Sequence, residues 1–222
     1  QGKGELNFDR SIGIVGTRSA TNYGKAITKK IIEDLLPYQP VIISGLAYGI
    51  DIEAHRAALQ VGLPTIAIMG SPIDQIYPAA HKKTAEQLQE TGLLISEYAP
   101  GSRMVPGNFP ARNRIIAGLS DALIVVEAAE KGGALITAEI AYSYDKDVFA
   151  VPGNLLSTYS EGCNQLIRKM KASIYTGPGD IAEALFWTKP GEEKIKKPTL
   201  DLSGRDEEER SILLHLQEKV ES

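Results

Sequence analysis

Seven short apolar runs alternate with longer segments of helical periodicity, and this alternation constrains the fold more than any other feature. The runs that predict strands are 11–16, 41–45, 65–69, 93–97, 122–128, 148–152 and 173–176. The segments that predict helices are 23–36, 50–61, 79–90, 110–117, 134–144 and 163–170. Strands that are apolar at nearly every position are typical of a parallel sheet covered on both faces. The pattern therefore predicts an α/β, doubly wound, mostly parallel, Rossmann-like sheet with helices on both faces.

The composition allows one well-buried core and a small appendage. The chain has 222 residues, of which 43% are hydrophobic and 23% charged, as in soluble globular proteins. We expect a core over 1–187, a charged and proline-bounded linker over 188–200, and an amphipathic helix within 201–222. No apolar run reaches the ~20 residues of a membrane span, and no secretory signal is present. The single cysteine, Cys163, excludes an internal disulfide and favours a reducing, cytoplasmic setting.

The net charge of −4 does not by itself exclude a polyanionic partner, because the acidic residues are unevenly distributed. The segment 201–222 holds seven of the 28 acids and only three of the 24 bases, so residues 1–200 are neutral overall. Local clustering of cations must decide whether the chain binds nucleic acid. The three histidines show no metal-ligand spacing, and we expect neither a metal nor a cofactor.

The segment 107–120 concentrates polar and basic residues at the start of a predicted helix. Pro110 suits the first helical position, Gly118 is expected to end the helix, and no acid lies between residues 101 and 120. Free N–H groups at a helix N-terminus already favour an anion. Arg112 lies on the apolar line of the helix, so we expect it to emerge at the helix mouth and meet phosphate. Arg114 can instead point away or pair with Asp121, and the alternative for the whole segment is a solvated helix.

Glycine-bearing loops follow several of the predicted strands. The first strand leads into Gly16-Thr17-Arg18, and later loops carry Ser44-Gly45, Gly70-Ser71 and Lys131-Gly132-Gly133. Glycine lets backbone N–H groups approach a phosphate. The carboxyl ends of parallel strands share one edge of the sheet, so these loops are predicted to form one rim. The six-residue glycine spacing of dinucleotide-binding loops is absent.

An Asp51–His55 pair follows the second strand at helical spacing. A catalytic pair is one interpretation, but no serine or cysteine nucleophile accompanies it in the sequence. We favour a structural histidine, with Asp51 capping the helix.

Together these segments resemble the DNA-processing protein A (DprA, or Smf) family. The matching residues run in the family's order from about position 11 to 185: 14–18, 44–51 with 54–55, 70–71 with Asp74 and 77–78, 108–110 with 112–120, and 132–138. The resemblance implies an extended Rossmann fold that binds single-stranded DNA, forms a homodimer and helps load RecA recombinase in natural transformation, DNA uptake and recombination. It also implies a helical domain before this core, and a winged-helix-like domain of which 201–222 is the opening fragment.

The resemblance also assigns roles to individual residues. Arg18 resembles the family's phosphate-clamping arginine, and Phe109 its base-contacting aromatic. Some members carry a lysine where this chain has Pro106, and Arg103 or Lys131 is a possible substitute. The DNA-binding residues predicted from the loops and the resemblance together are Gly16, Thr17, Arg18, Ser44, Gly45, Gly70, Ser71, Asn108, Phe109, Arg112, Asn113, Arg114, Lys131, Gly132 and Gly133.

The rival hypothesis is a nucleotide-binding enzyme of the lysine-decarboxylase-like or phosphoribohydrolase superfamily. Those enzymes carry a Pro-Gly-Gly-x-Gly-Thr-x-x-Glu loop, whereas residues 131–139 of this chain lack the proline and the third glycine. Glu139 could be realigned with the catalytic glutamate, but the sequence gives no further support for that role. We therefore predict a binding protein without enzymatic activity.

Overall fold

The computed structural model describes residues 1–189 and Glu209, and it contains one seven-stranded sheet. The strands are β1 (Ser11–Val15), β2 (Val41–Ser44), β3 (Thr65–Met69), β4 (Leu93–Ser96), β5 (Ala122–Val125), β6 (Asp147–Ala150) and β7 (Ser173–Ile174). Their order across the sheet is β4-β3-β2-β1-β5-β6-β7. Every pairing between these strands is parallel. The predicted doubly wound α/β fold is confirmed.

The helices are α1 (Asn22–Leu35), α2 (Ile50–Val61), α3 (Lys82–Leu88), α4 (Asn108–Leu119), α5 (Gly133–Ser143), α6 (Glu161–Arg168) and α7 (Pro178–Ala184). The bounds predicted from the sequence for α2 (50–61) and β3 (65–69) agree with those in the structure. Helix α4 is longer than predicted at both ends, so Pro110 is its third residue and Gly118 lies inside it. Pro110 still falls in the first turn, where the missing N–H breaks no hydrogen bond. The expectation that Gly118 ends the helix is wrong.

The strands send alternate side chains to two apolar layers. Ile12, Ile14 and Ile124 face the layer that contains α1 and α2. Leu123 and Val125 face the opposite layer, which contains α4, α5 and α6. This period of two, with apolar residues on both faces, is what buries a parallel sheet completely.

The two edges of the sheet are short or covered. Beside β4, Gly2 forms an antiparallel bridge with Leu93, and the Gly4 N–H donates to the Gly92 carbonyl over 3.1 Å. At the other edge, β7 contains only two residues. Little backbone is therefore available for a further strand.

The strands after β1 are added first on one side of it (β2 to β4) and then on the other (β5 to β7), so the strand order changes direction at β1. Ligands of open α/β sheets bind at such a switch point, beyond the carboxyl ends of the strands. The loops that follow β1 and β5 are therefore the first place to look for a site.

Two sequence predictions concern residues that the structure leaves almost entirely undescribed. The predicted linker over 188–200 and the winged-helix fragment over 201–222 lie outside the described residues, apart from 188, 189 and 209. Among the described residues, no helix has both the length and the apolar character needed to cross a membrane.

Candidate nucleic-acid interface

A cleft of about 280 Å³ opens at the switch point, between the loops that follow β1 and β5 and the start of α4. It brings together nine of the predicted site residues: Gly16, Thr17, Arg18, Phe109, Arg112, Asn113, Lys131, Gly132 and Gly133. Segments separated by more than a hundred residues in sequence thus form one concave surface.

The loop after β1 is held rigidly by its neighbours. The Thr17 N–H donates to the Glu127 carbonyl over 2.7 Å, and the Thr17 carbonyl accepts from Ile50 N–H over 3.2 Å. A Cβ at Gly16 would lie 2.4 Å from Ile50 Cγ1, so only glycine allows this close packing. The side chain of Arg18 remains exposed. The loop therefore presents Arg18 from a fixed backbone at the mouth of the cleft.

The opposite side of the mouth is the N-terminus of α5. Gly133 is the first residue of the helix, and Gly132 precedes it in extended conformation. A Cβ at either glycine would meet no atom within 4 Å, so packing does not explain these glycines. The N–H groups of a first helical turn have no partner within the helix and carry partial positive charge. Exposed Lys131 adds a full charge beside them.

The two exposed cations of the mouth are available to a ligand. Within the part of the chain that the structure describes, Arg18 and Lys131 form no ion pair. The backbone dipole of α5 and both side chains favour an anion at the same opening. This is the electrostatic arrangement expected of a phosphate site.

Arg112 lies on the floor of the cleft rather than at its mouth. Its side chain is buried, with 3% of the residue exposed. The Nη1 group donates to the Gly45 carbonyl over 2.6 Å and also to the Ile68 carbonyl, and Nε donates to Asn113 Oδ1 over 3.2 Å. The expectation that Arg112 emerges at the helix mouth is wrong, because these carbonyls bind the guanidinium inside the protein.

Asp51 is a member of the cleft that the sequence analysis did not identify as a site residue. Its buried carboxylate accepts hydrogen bonds from the N–H groups of Gly45 and Ala47. Burial raises the pKa of Asp51, an effect that the nearby positive charge of Arg112 and these hydrogen bonds oppose. Asp51 does not cap α2 as expected: Gly49 is the N-cap, and Asp51 holds the preceding loop.

Gly45 separates the two buried charges. A Cβ at this position would lie 2.5 Å from Asp51 Oδ2 and 2.6 Å from Arg112 Nη2. The glycine is therefore needed for the buried charge arrangement and does not line the cleft itself.

Several other predicted site residues also lie away from the cleft. Ser44 Oγ donates to the Ile14 carbonyl and Ser71 Oγ to the Gln75 carbonyl, each over 2.6 Å, and both serines are fully buried. Asn108 is buried as well. The two serine hydroxyls thus donate to carbonyl groups inside the fold, and the sequence does not distinguish that use from ligand binding.

Arg114 is exposed and forms an ion pair with Glu97. The alternative pairing with Asp121 does not occur, because Asp121 Oδ2 accepts hydrogen bonds from the Ser11 N–H at 2.7 Å and Oγ at 3.0 Å. Arg114 does not line the cleft.

Phe109 is half-buried at the edge of the cleft and lies within α4. Its ring packs against Gly70, where a Cβ would lie 2.6 Å from the ring, and lies 5.2 Å from the ring centre of Tyr77. A residue before proline usually avoids the helical conformation, but Phe109 lies in the first turn of α4, where its ring has these packing contacts. Part of the ring still faces the opening.

His55 is fully buried and does not line the cleft. Its Nδ1 lies 2.7 Å from Thr65 Oγ1, which itself donates to the Ile42 carbonyl over 2.8 Å, so Nδ1 is the donor to Thr65. Burial, followed by the charge of Arg112, lowers the pKa of His55 to about 3. These contacts support a structural role for His55.

In the described residues, no cluster of histidine, cysteine, aspartate and glutamate is arranged to hold a metal ion.

The sequence model of the family described as DNA recombination-mediator protein A matches residues 1–186. The chain belongs to this family. It is 42% identical over 186 residues to the DNA processing protein DprA of Streptococcus pneumoniae, and 48% identical over 156 residues to the protein Smf of Synechocystis. These alignments cover 83% and 70% of this chain, but only 66% and 39% of the relatives.

Solved structures support the same assignment. The X-ray structure of DprA from Streptococcus pneumoniae superposes with a TM-score of 0.75 at 42% identity, covering 78% of this chain and 61% of that one. A structure on the single-stranded DNA binding mode of Helicobacter pylori DprA gives 0.74 at 33% identity, covering 82% and 84%. A molybdenum cofactor binding protein of Rippkaea orientalis, at 19% identity and a TM-score of 0.56 over 80% of this chain and 95% of that one, shares the fold.

The burial of His55 predicts a specific loss of stability in acid. Because the folded-state pKa of about 3 lies below the ordinary value of 6.5, the unfolded chain binds a proton first as the pH falls. Well above pH 6.5, His55 is neutral in both states and has no effect on the pH dependence of stability. As the pH falls from about 6.5 toward 3, proton binding to the unfolded chain lowers the free energy of unfolding by up to about 1.4 kcal/mol per pH unit. Between pH 7 and 5, the free energy of unfolding of the wild type should fall by about 2 kcal/mol more than that of His55→Gln. Parallel denaturant-unfolding curves for the two proteins would contradict this account.

Proposed function

We propose that this chain binds single-stranded DNA in the cleft at the switch point and does not cleave it. The observation that carries the proposal is the presence of two exposed cations at the mouth of the cleft that form no ion pair within the described residues. Arg18 lies on one side of the mouth, and Lys131 lies beside the α5 N-terminus on the other. Phosphates of a strand would lie along this mouth, where charge and backbone N–H groups act together. A groove of this kind with an aromatic side chain at its edge suits single strands without sequence preference.

The proposal assigns different roles to the three arginines predicted to bind phosphate. Arg18 contacts the strand directly. Arg112 supplies positive potential from below and fixes the carboxyl ends of β2 and β3 through their carbonyls. Arg114 belongs to a surface ion pair and makes no essential contact. We further propose that Lys131 replaces the family lysine missing at Pro106, since Lys131 lines the cleft and Arg103 does not.

The relatives support the same ligand. The Helicobacter pylori protein is described by its single-stranded DNA binding mode, and this chain covers 84% of its length. The structural match extends over 82% of this chain.

Finer aspects of the function rest on family membership. We propose that the protein helps load RecA recombinase onto single strands in natural transformation, acts as a homodimer and works in the cytoplasm. Sedimentation of the purified chain tests the dimer, and recombinase filament formation on strands coated by a single-strand binding protein tests the loading.

The position of Glu139 does not support the alternative of a nucleotide-binding enzyme. Glu139 forms an ion pair with Lys171, with Nζ 2.6 Å from Oε2, and does not line the cleft. We therefore propose a single function for this site.

The proposal predicts a preference for single strands. At 100 mM salt the chain should bind a single-stranded 30-mer at least tenfold more tightly than the corresponding duplex, in a gel-shift assay. Affinity should fall steeply as salt rises, because released counterions drive phosphate binding. The strand should remain intact after incubation with magnesium. Equal affinity for the two forms, or degradation of the strand, would refute the proposal.

Arg18 and Arg114 form a matched pair of exposed arginines that differ in their position relative to the cleft. Arg18→Ala should weaken single-strand binding about tenfold and reduce the salt slope by about one ion, whatever the base sequence. Arg114→Ala should leave both quantities nearly unchanged, because its charge pairs with Glu97. Fluorescence anisotropy at two salt concentrations measures both effects. An equal loss in the two variants would show that general surface charge, and not the cleft, binds the DNA.

Phe109 is predicted to contact a base with the exposed part of its ring. Stacking on a base contributes about 1–3 kcal/mol, so Phe109→Ala should weaken binding roughly ten- to a hundredfold. Phe109→Leu is the matched control, because it retains most of the packing against Gly70 and Tyr77 but provides no aromatic face. Similar losses in both variants, with melting temperatures near that of the wild type, confirm stacking. Wild-type affinity in Phe109→Leu would mean that the ring serves only to pack the loop.

A further inference from the structure

A second cavity of about 620 Å³ lies beyond the β1–α1 loop, beside α1 and the loop after β6. Its lining residues are Thr21, Tyr23, Glu127, Pro152, Gly153, Asn154, Ser157 and Ser160. None of these residues lines the DNA cleft. The cavity is therefore separate from the cleft, although both adjoin the β1–α1 segment.

The floor of this cavity is an acid. Glu127 is 4% exposed, and its carboxylate accepts hydrogen bonds from Thr21 Oγ1 over 2.6 Å and Thr21 N–H over 3.0 Å. Desolvation and then the negative charge of Glu127 raise the pKa of Tyr23. Among the described residues, no lysine or arginine lines the cavity. The cavity is thus negative where the neighbouring cleft is positive.

Two leucines project into solvent from the loop beside this cavity. Leu155 is 84% exposed and Leu156 is 95% exposed. The turn that carries them, residues 153–157, is ordered by several hydrogen bonds: Asn154 Oδ1 accepts from Leu156 N–H over 2.8 Å, and Asn164 Nδ2 donates to the Gly153 carbonyl over 3.0 Å. The outward direction of the leucines is therefore a built feature of the loop.

Adjacent, fully exposed leucines on a fixed turn are unusual, because apolar surface in contact with water is unfavourable. The ring of Tyr23 is 53% exposed and also borders the cavity. An aromatic ring, apolar side chains and a desolvated charge in one place are the typical composition of a protein–protein hot spot.

The charges decide between a nucleic acid and a protein as the occupant. Glu161 is exposed and directly follows Ser160, which lines the cavity. Together with Glu127 it disfavours a phosphate there. A basic side chain flanked by apolar residues would complement both the acid and the leucines.

We propose that the acidic cavity and the 153–157 turn form a docking site for a partner protein that presents a lysine or arginine between apolar residues. The basic side chain enters the cavity toward Glu127, and its apolar neighbours pack on Leu155, Leu156 and Tyr23. Because the cavity and the cleft share no lining residue, the partner docks while DNA occupies the cleft.

A short peptide tests the chemistry directly. The full chain, labelled with ¹⁵N, is titrated with acetyl-Ala-Leu-Arg-Leu-Ala-amide and with matched peptides in which citrulline or glutamate replaces the arginine. The arginine peptide should shift the amide signals of residues 21–23 and 153–157. The citrulline and glutamate peptides should bind at least tenfold more weakly. Shifts centred on Arg18 and Gly132, equal binding of all three peptides, or no shift at millimolar peptide would overturn the proposal.

The leucines are tested by the double variant Leu155→Ser/Leu156→Ser, with Leu6→Ser as the control because Leu6 is 61% exposed and lines neither cavity nor cleft. The double variant should bind the arginine peptide about tenfold more weakly, and the control should bind like the wild type. Single-strand affinity and sedimentation should be unchanged in both. A tenfold loss of DNA affinity in the double variant would assign the turn to the DNA path, and a lower association state would assign it to a second copy. Either result overturns the proposal.

Discussion

The buried guanidinium of Arg112 joins more elements of this structure than any other polar group described above. From α4 it donates to the carbonyls of Gly45 and Ile68, which lie at the ends of β2 and β3, and it faces the carboxylate of Asp51 on α2. Burial of an unpaired charge would be costly, so each of these groups depends on the others. These contacts hold the floor of the cleft in place without a ligand. The side chains at its mouth, Arg18 and Lys131, are exposed.

The carboxyl end of the sheet carries two surfaces of opposite sign. The cleft has two cations at its mouth, one of them beside a helix N-terminus, whereas the neighbouring cavity is lined by Glu127. The β1–α1 segment contributes Arg18 to one and Tyr23 to the other. Under the two proposals above, phosphates bind in the cleft and a basic segment binds in the cavity, and the opposite charges of the two surfaces favour this separation.

Local periodicity predicts the fold because the strands and helices differ in their repeat and the central strands β1, β2, β3 and β5 are buried along their whole length. The glycine and cation loops at the switch point were also predictable, since the ends of parallel strands share an edge. The direction of Arg112 was not, because its carbonyl partners lie 67 and 44 residues away and only the folded backbone aligns them. For the same reason the sequence predicts a helix cap at Asp51 and ligand contacts at Ser44 and Ser71, whereas the structure shows other roles for these residues. Short polar side chains form the same kinds of hydrogen bond with loop backbone as with ligands, so residue type alone does not separate the two roles.

The short and covered edges of the sheet determine how this part of the chain can associate. An exposed edge strand can pair with the edge of another molecule and extend the sheet without limit. Here the bridge between Gly2 and Leu93 occupies backbone at one edge, and β7 has only two residues at the other. Contacts between two copies through this region are therefore expected to use side chains on helices and loops. An isologous contact of this kind closes on itself, so a pair of copies joined by it does not grow into a fibre.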